Sequence, residues 1–152
     1  MIENPTVGVV EIHYVDDDID YLDFFEEAIS QINETRGPKL RFYRYTAGDD
    51  LIKALLKKTD TLTIAFLDIN MPVKTGLDVL QVLKSHSQLQ AIPAIMYSTS
   101  DDERFVNISR AMGANLYAVK PASINGIKQI ILAALYNISH SELPGKFLIK
   151  FK

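Results

Sequence analysis

The sequence predicts an α/β fold in which a doubly wound parallel sheet of five strands has helices on both faces. Two observations predict this class. Short apolar runs alternate five times with longer segments whose apolar residues recur every three or four positions, which is typical of consecutive βα units. The helical segment between each two runs is also long enough to cross over the sheet. Neighbouring parallel strands require such crossover connections, which are right-handed.

The composition is that of one folded domain. The chain has 152 residues, of which 47% are hydrophobic and 23% charged, and its formal net charge is −3. The absence of cysteine excludes disulfides, zinc–thiolate sites, iron–sulfur clusters and thiol nucleophiles. Mild acidity predicts no nucleic-acid partner, and no apolar run approaches the roughly 20 residues of a membrane span. The N-terminus lacks the features of a signal peptide, so we expect a cytoplasmic location.

The first two βα units are predicted within the N-terminal third of the chain. Residues 7–15 form the first strand, because they are rich in β-branched residues and stop at three consecutive aspartates. Residues 19–35 follow as a helix, which Gly37-Pro38 ends. The apolar face of this helix consists of Leu22, Phe25, Ile29 and Ile32. A second strand is predicted at residues 40–45 and a short second helix at residues 49–58.

The last three units begin with a compact apolar run at residues 62–67, typical of a strand buried on both faces. Residues 75–86 are predicted as a helix because leucines recur at every third position. Gly76 is expected to supply a permissive backbone beside the preceding loop. The remaining elements are a strand at residues 92–97, a helix at 101–112, a strand at 116–119 and a helix at 123–138.

The βα pattern assigns residues 1–140 to the domain and leaves residues 141–152 as a C-terminal tail that it does not explain. We expect the tail to fold back over its own domain or to be disordered. Its imperfect alternation of apolar and basic residues would also suit an added strand or a contact with a partner.

Polar residues follow four of the predicted strands at the point where each strand ends. They are Asp16, Asp17 and Asp18 after the first strand, Asp68 after the third, Ser98 after the fourth and Lys120 after the fifth. Ligands of a doubly wound sheet bind outside the carboxyl ends of the strands, near the switch in strand order. We therefore expect carboxylates, a hydroxyl and an ammonium to meet at one edge.

Helix capping does not explain all of these aspartates. Asp18 alone would suit the cap of the first helix, but a cap occupies only one position. Two carboxylates about 4 Å apart repel by roughly 4 kcal/mol at an effective dielectric near 20, and Asp68 adds to the crowding. A hard divalent cation suits a set of oxygen ligands. The sequence therefore predicts an Mg²⁺ site at this edge of the sheet.

Four segments are similar to those of the response-regulator receiver domains of two-component signalling. The segments are YVDDD (14–18), FLDINMPVKTGLDVL (66–80), PAIMYSTS (93–100) and GANLYAVKP (113–121). They occur in the family's order, each at a predicted strand end, and the resemblance covers residues 9–138. It implies the flavodoxin-like receiver fold.

The resemblance implies a phosphoacceptor role for Asp68. Lys120 would match the family's lysine and Ser98 its hydroxyl residue, both of which meet the phosphoryl group. Asp16 and Asp17 would be the acidic pair that holds Mg²⁺ together with Asp68, and the direct side-chain ligands would be Asp17 and Asp68. The Lys120–Pro121 peptide bond would be cis.

Further positions follow from the same resemblance. The backbone carbonyl of Asn70 would be another ligand of Mg²⁺. Ser98 and Tyr117 would form the switch, and Asn70 and Ser100 would tune the lifetime of the phosphorylated state.

The resemblance implies a signalling protein and not an enzyme in the usual sense, although it would promote its own phosphorylation and dephosphorylation. The donor would be a phosphohistidine on a sensor histidine kinase or a phosphotransfer protein. A downstream protein would bind the face formed by the fourth helix, the fifth strand and the fifth helix. We expect a monomer or a weak dimer.

Two alternatives are weighed against this interpretation. A pseudo-receiver scaffold would typically lack the acceptor, the acidic pair or the lysine, and all of them are present. A haloacid-dehalogenase-like phosphatase also uses an aspartate after a strand with Mg²⁺, but it needs a second aspartate two residues later, where Asn70 stands. A nucleotide-binding α/β protein is not indicated, because neither G-x-G-x-x-G nor G-x-x-x-x-G-K-[ST] occurs in the sequence.

Overall fold

The structure, a computed structural model that describes residues 8–57, 61–140 and 146–151, confirms the predicted fold class. All ten predicted elements are present, and their ends agree with the predicted ones within two residues. The elements are β1 (Val9–Val15), α1 (Ile19–Asn33), β2 (Lys39–Tyr45), α2 (Gly48–Leu56), β3 (Thr63–Asp68), α3 (Gly76–Ser85), β4 (Ala94–Ser98), α4 (Glu103–Ala111), β5 (Leu116–Val119), α5 (Ile124–Ser139) and β6 (Leu148–Ile149).

The sheet has six parallel strands in the order β2-β1-β3-β4-β5-β6, and not the five that the sequence predicts. The sixth strand comes from the C-terminal tail, where Leu148 pairs with Tyr117 and Ile149 with Ala118. An added strand is one of the roles that the sequence left open for the tail, and two residues are too few for a strand period to select it. Strand order reverses between β1 and β3, so the carboxyl ends of these two strands flank the switch point.

The two faces of the sheet bury separate apolar clusters. Helices α1 and α5 cover one face, where Phe25 and Ile130 pack against Tyr14 and Phe66 of the sheet. Helices α2, α3 and α4 cover the other face, and Leu80 of α3 is fully buried there. Each large apolar side chain removed from water contributes about 1.5–3 kcal/mol. The two clusters therefore hold the strand ends in fixed register.

Side-chain caps begin the helices that follow the polar loops. Asp18 accepts a hydrogen bond from the backbone N–H of Tyr21 and starts α1, the capping role considered for it from the sequence. Thr75 and Asp78 form a reciprocal capping box at the start of α3. Ser123 accepts from the N–H of Gly126 and starts α5. Each cap satisfies a backbone donor that the helix leaves unpaired, so the loops turn sharply at the edge of the sheet.

Gly76 is required for its small size and not for an unusual backbone angle, contrary to the expectation of a permissive conformation. Its φ is not positive. A Cβ added at this position would lie 2.7 Å from the carbonyl carbon of Asp68 and 3.1 Å from the backbone nitrogen of Ile69. Because both neighbours are backbone atoms, the N-terminus of α3 can lie against the end of β3 only if residue 76 has no side chain.

We predict that Gly76→Ala lowers the free energy of unfolding by about 1–3 kcal/mol, the usual cost of forcing extra volume into a packed site. Gly8→Ala is the matched control, because a Cβ there meets nothing within 4 Å, and its effect should stay within about 0.5 kcal/mol. Urea unfolding followed by circular dichroism measures both. Equal stability of the two variants would contradict the steric role of Gly76.

Candidate functional site

Three carboxylates meet at the carboxyl ends of β1 and β3, as the sequence predicts. Asp16 and Asp68 are buried and Asp17 is exposed, and one oxygen from each lies within 4.8 Å of the other two. The backbone around Asp16 fixes its side chain, because the N–H of Asp18 donates to Asp16 Oδ1 at 2.9 Å. The N–H of Asp16 itself donates to the carbonyl of Tyr45 in β2 at 3.0 Å.

Lys120, the residue after β5, brings a cation into this acidic cluster. Its ammonium donates to Asp16 Oδ2 at 2.6 Å and to Asp68 Oδ1 at 3.2 Å, and its side chain is only 8% exposed. The Lys120–Pro121 bond is trans, so the expectation of a cis bond is wrong. Trans is the intrinsically favoured form by about 0.5–1 kcal/mol for an X–Pro bond.

The electrostatics of the cluster remain unbalanced, because one ammonium faces three carboxylates. The pKa of Asp68 is raised to about 7, mainly by burial, while Lys120 opposes the rise and Asp16 adds to it. The ionised form of Asp68 is therefore destabilised relative to the protonated form, and an additional positive charge nearby would stabilise it. Three carboxylates at this spacing are the oxygen donors that hard divalent cations prefer. The residues present thus fit Mg²⁺.

A layer of tyrosines behind the carboxylates was not recognised from the sequence. The Tyr14 hydroxyl donates to Asp16 Oδ2, the same oxygen that accepts from Lys120. Tyr21 donates to the carbonyl of Pro121 at 3.0 Å, and its hydroxyl lies 2.8 Å from that of Tyr97. The available signal was the position of Tyr14 on the inward face of β1, two residues before Asp16.

These tyrosines also confine the lysine and remain hydrogen-bond donors. The Lys120 ammonium lies 5.0 Å from the ring centroid of Tyr21 and 5.8 Å from that of Tyr97, a range in which aromatic faces attract cations. Burial raises the pKa of Tyr14 and the pKa of Tyr97 far above the usual value. Both hydroxyls therefore stay protonated, and Tyr14 keeps donating to Asp16.

The end of β4 is connected to Tyr117 by a short series of hydrogen bonds. Ser98 is buried, and its hydroxyl oxygen accepts from the N–H of Ser100 at 3.1 Å. The carbonyl of Ser100 accepts from the Tyr117 hydroxyl at 2.7 Å. Tyr117 is fully buried, and burial raises the pKa of its hydroxyl. Ser98 follows Tyr97, the register partner of Asp68, so this series begins beside the acidic cluster.

The loop after β3 carries the remaining predicted residue. Asn70 is exposed, and its backbone N–H lies 3.4 Å from Asp68 Oδ1, to which it donates a long hydrogen bond. The assignment of the Asn70 carbonyl as a metal ligand stays a prediction. Val73 in the same loop has a φ of 66°, a conformation that is unusual for a β-branched residue and that is found near functional sites.

Comparison with known proteins shows the family to which the chain belongs. Residues 12–132 match the response regulator receiver domain family, and the chain therefore belongs to that family. The transcriptional regulatory protein GltR of Pseudomonas aeruginosa is 28% identical over 138 residues, which are 91% of this chain and 54% of that protein. The chemotaxis protein CheY1 of Helicobacter pylori is 33% identical over 66 residues, 43% of this chain and 53% of that protein. The chain thus spans about half the length of these two relatives.

Solved structures show the same fold. A response regulator receiver domain from Rhodospirillum rubrum superposes with a TM-score of 0.70 at 22% identity, covering 91% of this chain and 99% of that one. The phosphorylated cyanobacterial phytochrome response regulator RcpA gives a TM-score of 0.71 at 23% identity, covering 86% of this chain and 94% of that one. Within the described part of the chain, no helix is both long and apolar enough to cross a membrane.

We predict that Asp68→Asn stabilises the metal-free protein by about 1–3 kcal/mol at pH 8, because it removes a poorly compensated buried charge and keeps a polar side chain of the same size. The native pKa of Asp68 is raised to about 7. The contribution of Asp68 to the free energy of unfolding of the wild type is therefore fully present below about pH 4, the pKa of an aspartate in the unfolded chain. That contribution is lost as the pH rises through the native pKa near 7.

The advantage of Asp68→Asn should accordingly shrink between pH 7 and pH 4 and should also shrink when Mg²⁺ is added. Urea unfolding of both proteins across this pH range, with and without Mg²⁺, measures the effect. Asp20→Asn on the exposed surface of α1 serves as the control. A loss of stability at pH 8 in Asp68→Asn would contradict this account of the charge balance.

Proposed function

We propose that this receiver domain accepts a phosphoryl group on Asp68 from a phosphohistidine of a sensor histidine kinase or a phosphotransfer protein. One observation carries the proposal. The carboxylate of Asp68 shares a compact cluster with Asp16 and Asp17, and the Lys120 ammonium lies 3.2 Å from it. A carboxylate nucleophile, further oxygen ligands for a divalent cation and a buried ammonium are the groups that phosphoryl transfer to an aspartate requires.

In the proposed reaction an oxygen of Asp68 attacks phosphorus in line. The new O–P bond forms as the P–N bond to the donor histidine breaks, and the imidazole leaves with the electron pair of that bond. Bound Mg²⁺, held by Asp17 and Asp68 with the carbonyl of Asn70, would neutralise charge on the transferring group. Asp16 holds Lys120 beside the acceptor at 2.6 Å, so this ammonium is already in place to pair with a phosphoryl oxygen.

The hydroxyl of Ser98 is proposed to donate to the phosphoryl group once it is present. That hydroxyl oxygen now accepts from Ser100, whose carbonyl accepts from Tyr117. Movement of Ser98 towards Asp68 would therefore pull on Ser100 and disturb the hydrogen bond that holds the buried Tyr117 ring. We propose this series as the switch that alters the face formed by α4, β5 and α5. Asn70 and Ser100 are proposed to influence how long the phosphoryl group persists.

The proposed role is that of a signalling protein that supports its own phosphorylation and dephosphorylation, acts on a downstream protein and needs no nucleic acid. We propose that residues 1–140 form the receiver domain, that it is a monomer or weak dimer, and that it works in the cytoplasm. A pseudo-receiver scaffold is not favoured, because the acceptor, the acidic pair and the lysine lie together. A haloacid-dehalogenase-like phosphatase is not favoured either, because Asn70 stands where that class needs an acid.

We predict that incubation with acetyl phosphate and Mg²⁺ adds one phosphoryl group to the wild-type chain and none to Asp68→Asn. Intact-protein mass spectrometry measures the added mass, and Asp20→Asn should be labelled like the wild type, because it makes the same chemical change outside the cluster. Labelling should also disappear when the metal is chelated. Equal labelling of the wild type and Asp68→Asn would refute the acceptor assignment.

We further predict that Asp17→Asn weakens Mg²⁺ binding by at least about tenfold, since it removes a proposed direct ligand. Asp18→Asn, which changes the neighbouring capping residue, should leave the affinity within about twofold, because an asparagine caps a helix as well as an aspartate. Isothermal titration calorimetry with MgCl₂ compares the two variants. Similar affinities in both would exclude Asp17 from the metal site.

A further inference from the structure

The C-terminal residues 146–151, called the strap below, lie on the face formed by α4, β5 and α5. The N–H of Tyr117 donates to the carbonyl of Phe147 at 2.9 Å, and Leu148 and Ile149 continue the pairing with β5 as β6. Arg110 of α4 lies 4.7 Å from the ring centroid of Phe147. The strap thus covers the face through which the proposed function would reach its target.

The strap is attached to the two places that the proposed switch would move. One is Tyr117, whose backbone N–H binds the strap and whose hydroxyl binds Ser100. The other is Asp101, directly after Ser100, which accepts a hydrogen bond from Lys150 at 2.6 Å. A displacement of Ser100 would therefore move Asp101 directly and would shift the Tyr117 ring, which belongs to the cluster that Phe147 and Leu148 pack against.

The attachment is suited to opening. The paired strand has only two residues, and the side chains of Lys150 and Asp101 are 57% and 54% exposed, so their ion pair contributes little. A cleft of about 780 Å³ remains between the strap and the residues Arg110, Ala133 and Asn137 of α4 and α5. Pairing of only two residues at the edge of a sheet is typical of segments that open locally. The main cost of opening would be the exposure of Ile149, which is now 8% exposed.

We infer that the strap is a resident occupant of the α4–β5–α5 face that loosens when Asp68 carries a phosphoryl group, and that the downstream partner binds as an extended segment in its place on β5. This inference rests on the proposed function. Ser98 can donate to the phosphoryl group while its oxygen keeps accepting from the N–H of Ser100, so Ser100 and Asp101 would move with it. Lys150 would then lose its partner Asp101, and Phe147 and Leu148 would lose part of their packing against the cluster that contains Tyr117.

The chemistry of the strap indicates what kind of partner fits. An open β5 edge offers backbone donors and acceptors to an extended peptide. Ile149 reaches the cluster beneath α1 and α5, whereas Phe147 and Leu148 contact the cluster on the other face. Asp101 attracts a cation near the end of the pairing. The expected partner segment therefore has three consecutive apolar residues followed by a basic one, like Phe147, Leu148, Ile149 and Lys150 of the strap itself.

Hydrogen exchange of the full chain tests the inference, with Mg²⁺ and beryllofluoride as the stable phosphoryl mimic. Binding of beryllofluoride is established separately by its bound ¹⁹F resonance. We expect the backbone amides of residues 146–151 and of Tyr117 to exchange at least about tenfold faster in the bound state. Asp68→Asn should show neither the bound resonance nor the faster exchange.

The possible outcomes distinguish failure of the strap inference from failure of the proposed function. Bound beryllofluoride with unchanged or slower exchange of the strap overturns this inference and leaves the proposed function standing. Failure of the wild type to bind beryllofluoride with Mg²⁺ overturns both. If light scattering shows that beryllofluoride makes a dimer whose strap amides stay protected, the strap has moved to a second copy, and its role as a resident occupant is wrong.

Reversing the charges of Asp101 and Lys150 gives an independent test without any phosphoryl mimic. Asp101→Lys should speed exchange of the strap by about two- to fivefold, because it replaces an exposed ion pair with repulsion. The double change Asp101→Lys with Lys150→Asp should restore the slow rate. No acceleration in the single variant, or no restoration in the double variant, would overturn the proposed attachment at Asp101.

A peptide tests the partner chemistry. A fluorescent peptide with the strap sequence KFLIKF should bind the full chain at least about tenfold more tightly in the presence of Mg²⁺ and beryllofluoride, because the β5 edge is then vacated. A peptide of the same composition in scrambled order is the control. Equal affinity with and without beryllofluoride, or equal affinity of the two peptides, would overturn the proposed exchange of the strap for a partner.

Discussion

Asp16 and Asp68 are both buried, and they share the single ammonium of Lys120. The sharing is unequal, because Lys120 lies 2.6 Å from Asp16 and 3.2 Å from Asp68. Asp16 also accepts from the Tyr14 hydroxyl and from the N–H of Asp18. Asp68 is therefore the less compensated carboxylate, and burial raises its pKa to about 7. A buried charge without full compensation is costly to the fold. That cost is what makes the cluster receptive to a divalent cation and suitable as a place for chemistry.

The remainder of the fold keeps this arrangement from relaxing. The parallel register of β1, β3 and β4 brings the strand ends to one edge, and apolar clusters on both faces prevent the strands from shifting. Gly76 allows α3 to approach the backbone of Asp68. The rings of Tyr21 and Tyr97 confine Lys120 from behind. A less rigid frame would let water reach Asp68, and burial, the main cause of its raised pKa, would then be lost.

Much of this site follows from the sequence, because a residue that ends a strand of a parallel sheet has its position set by the fold class. Asp16, Asp68 and Lys120 could be placed together for that reason. The tyrosine layer could not, since Tyr14 and Tyr97 occupy inward positions where an aromatic ring is expected as core, and nothing in a strand period shows where a hydroxyl will point. The sequence left an added strand open as one role of the tail but could not select it, because the two residues of β6 carry no period. The trans bond at Pro121 differs from what the family resemblance implied, because local sequence does not determine an isomer that the surroundings select.

The acidic cluster and the C-terminal strap are connected through a few hydrogen bonds between Ser98, Ser100 and Tyr117, so a change in charge at one edge of the sheet has a physical route to another. The central claim is the electrostatic tension at Asp68, and a carbon-13 NMR titration of the Asp68 carboxyl group in metal-free buffer tests it most directly. The account predicts an apparent pKa near 7 that falls when Mg²⁺ is added. An apparent pKa near the ordinary value of about 4, unaffected by Mg²⁺, would contradict it.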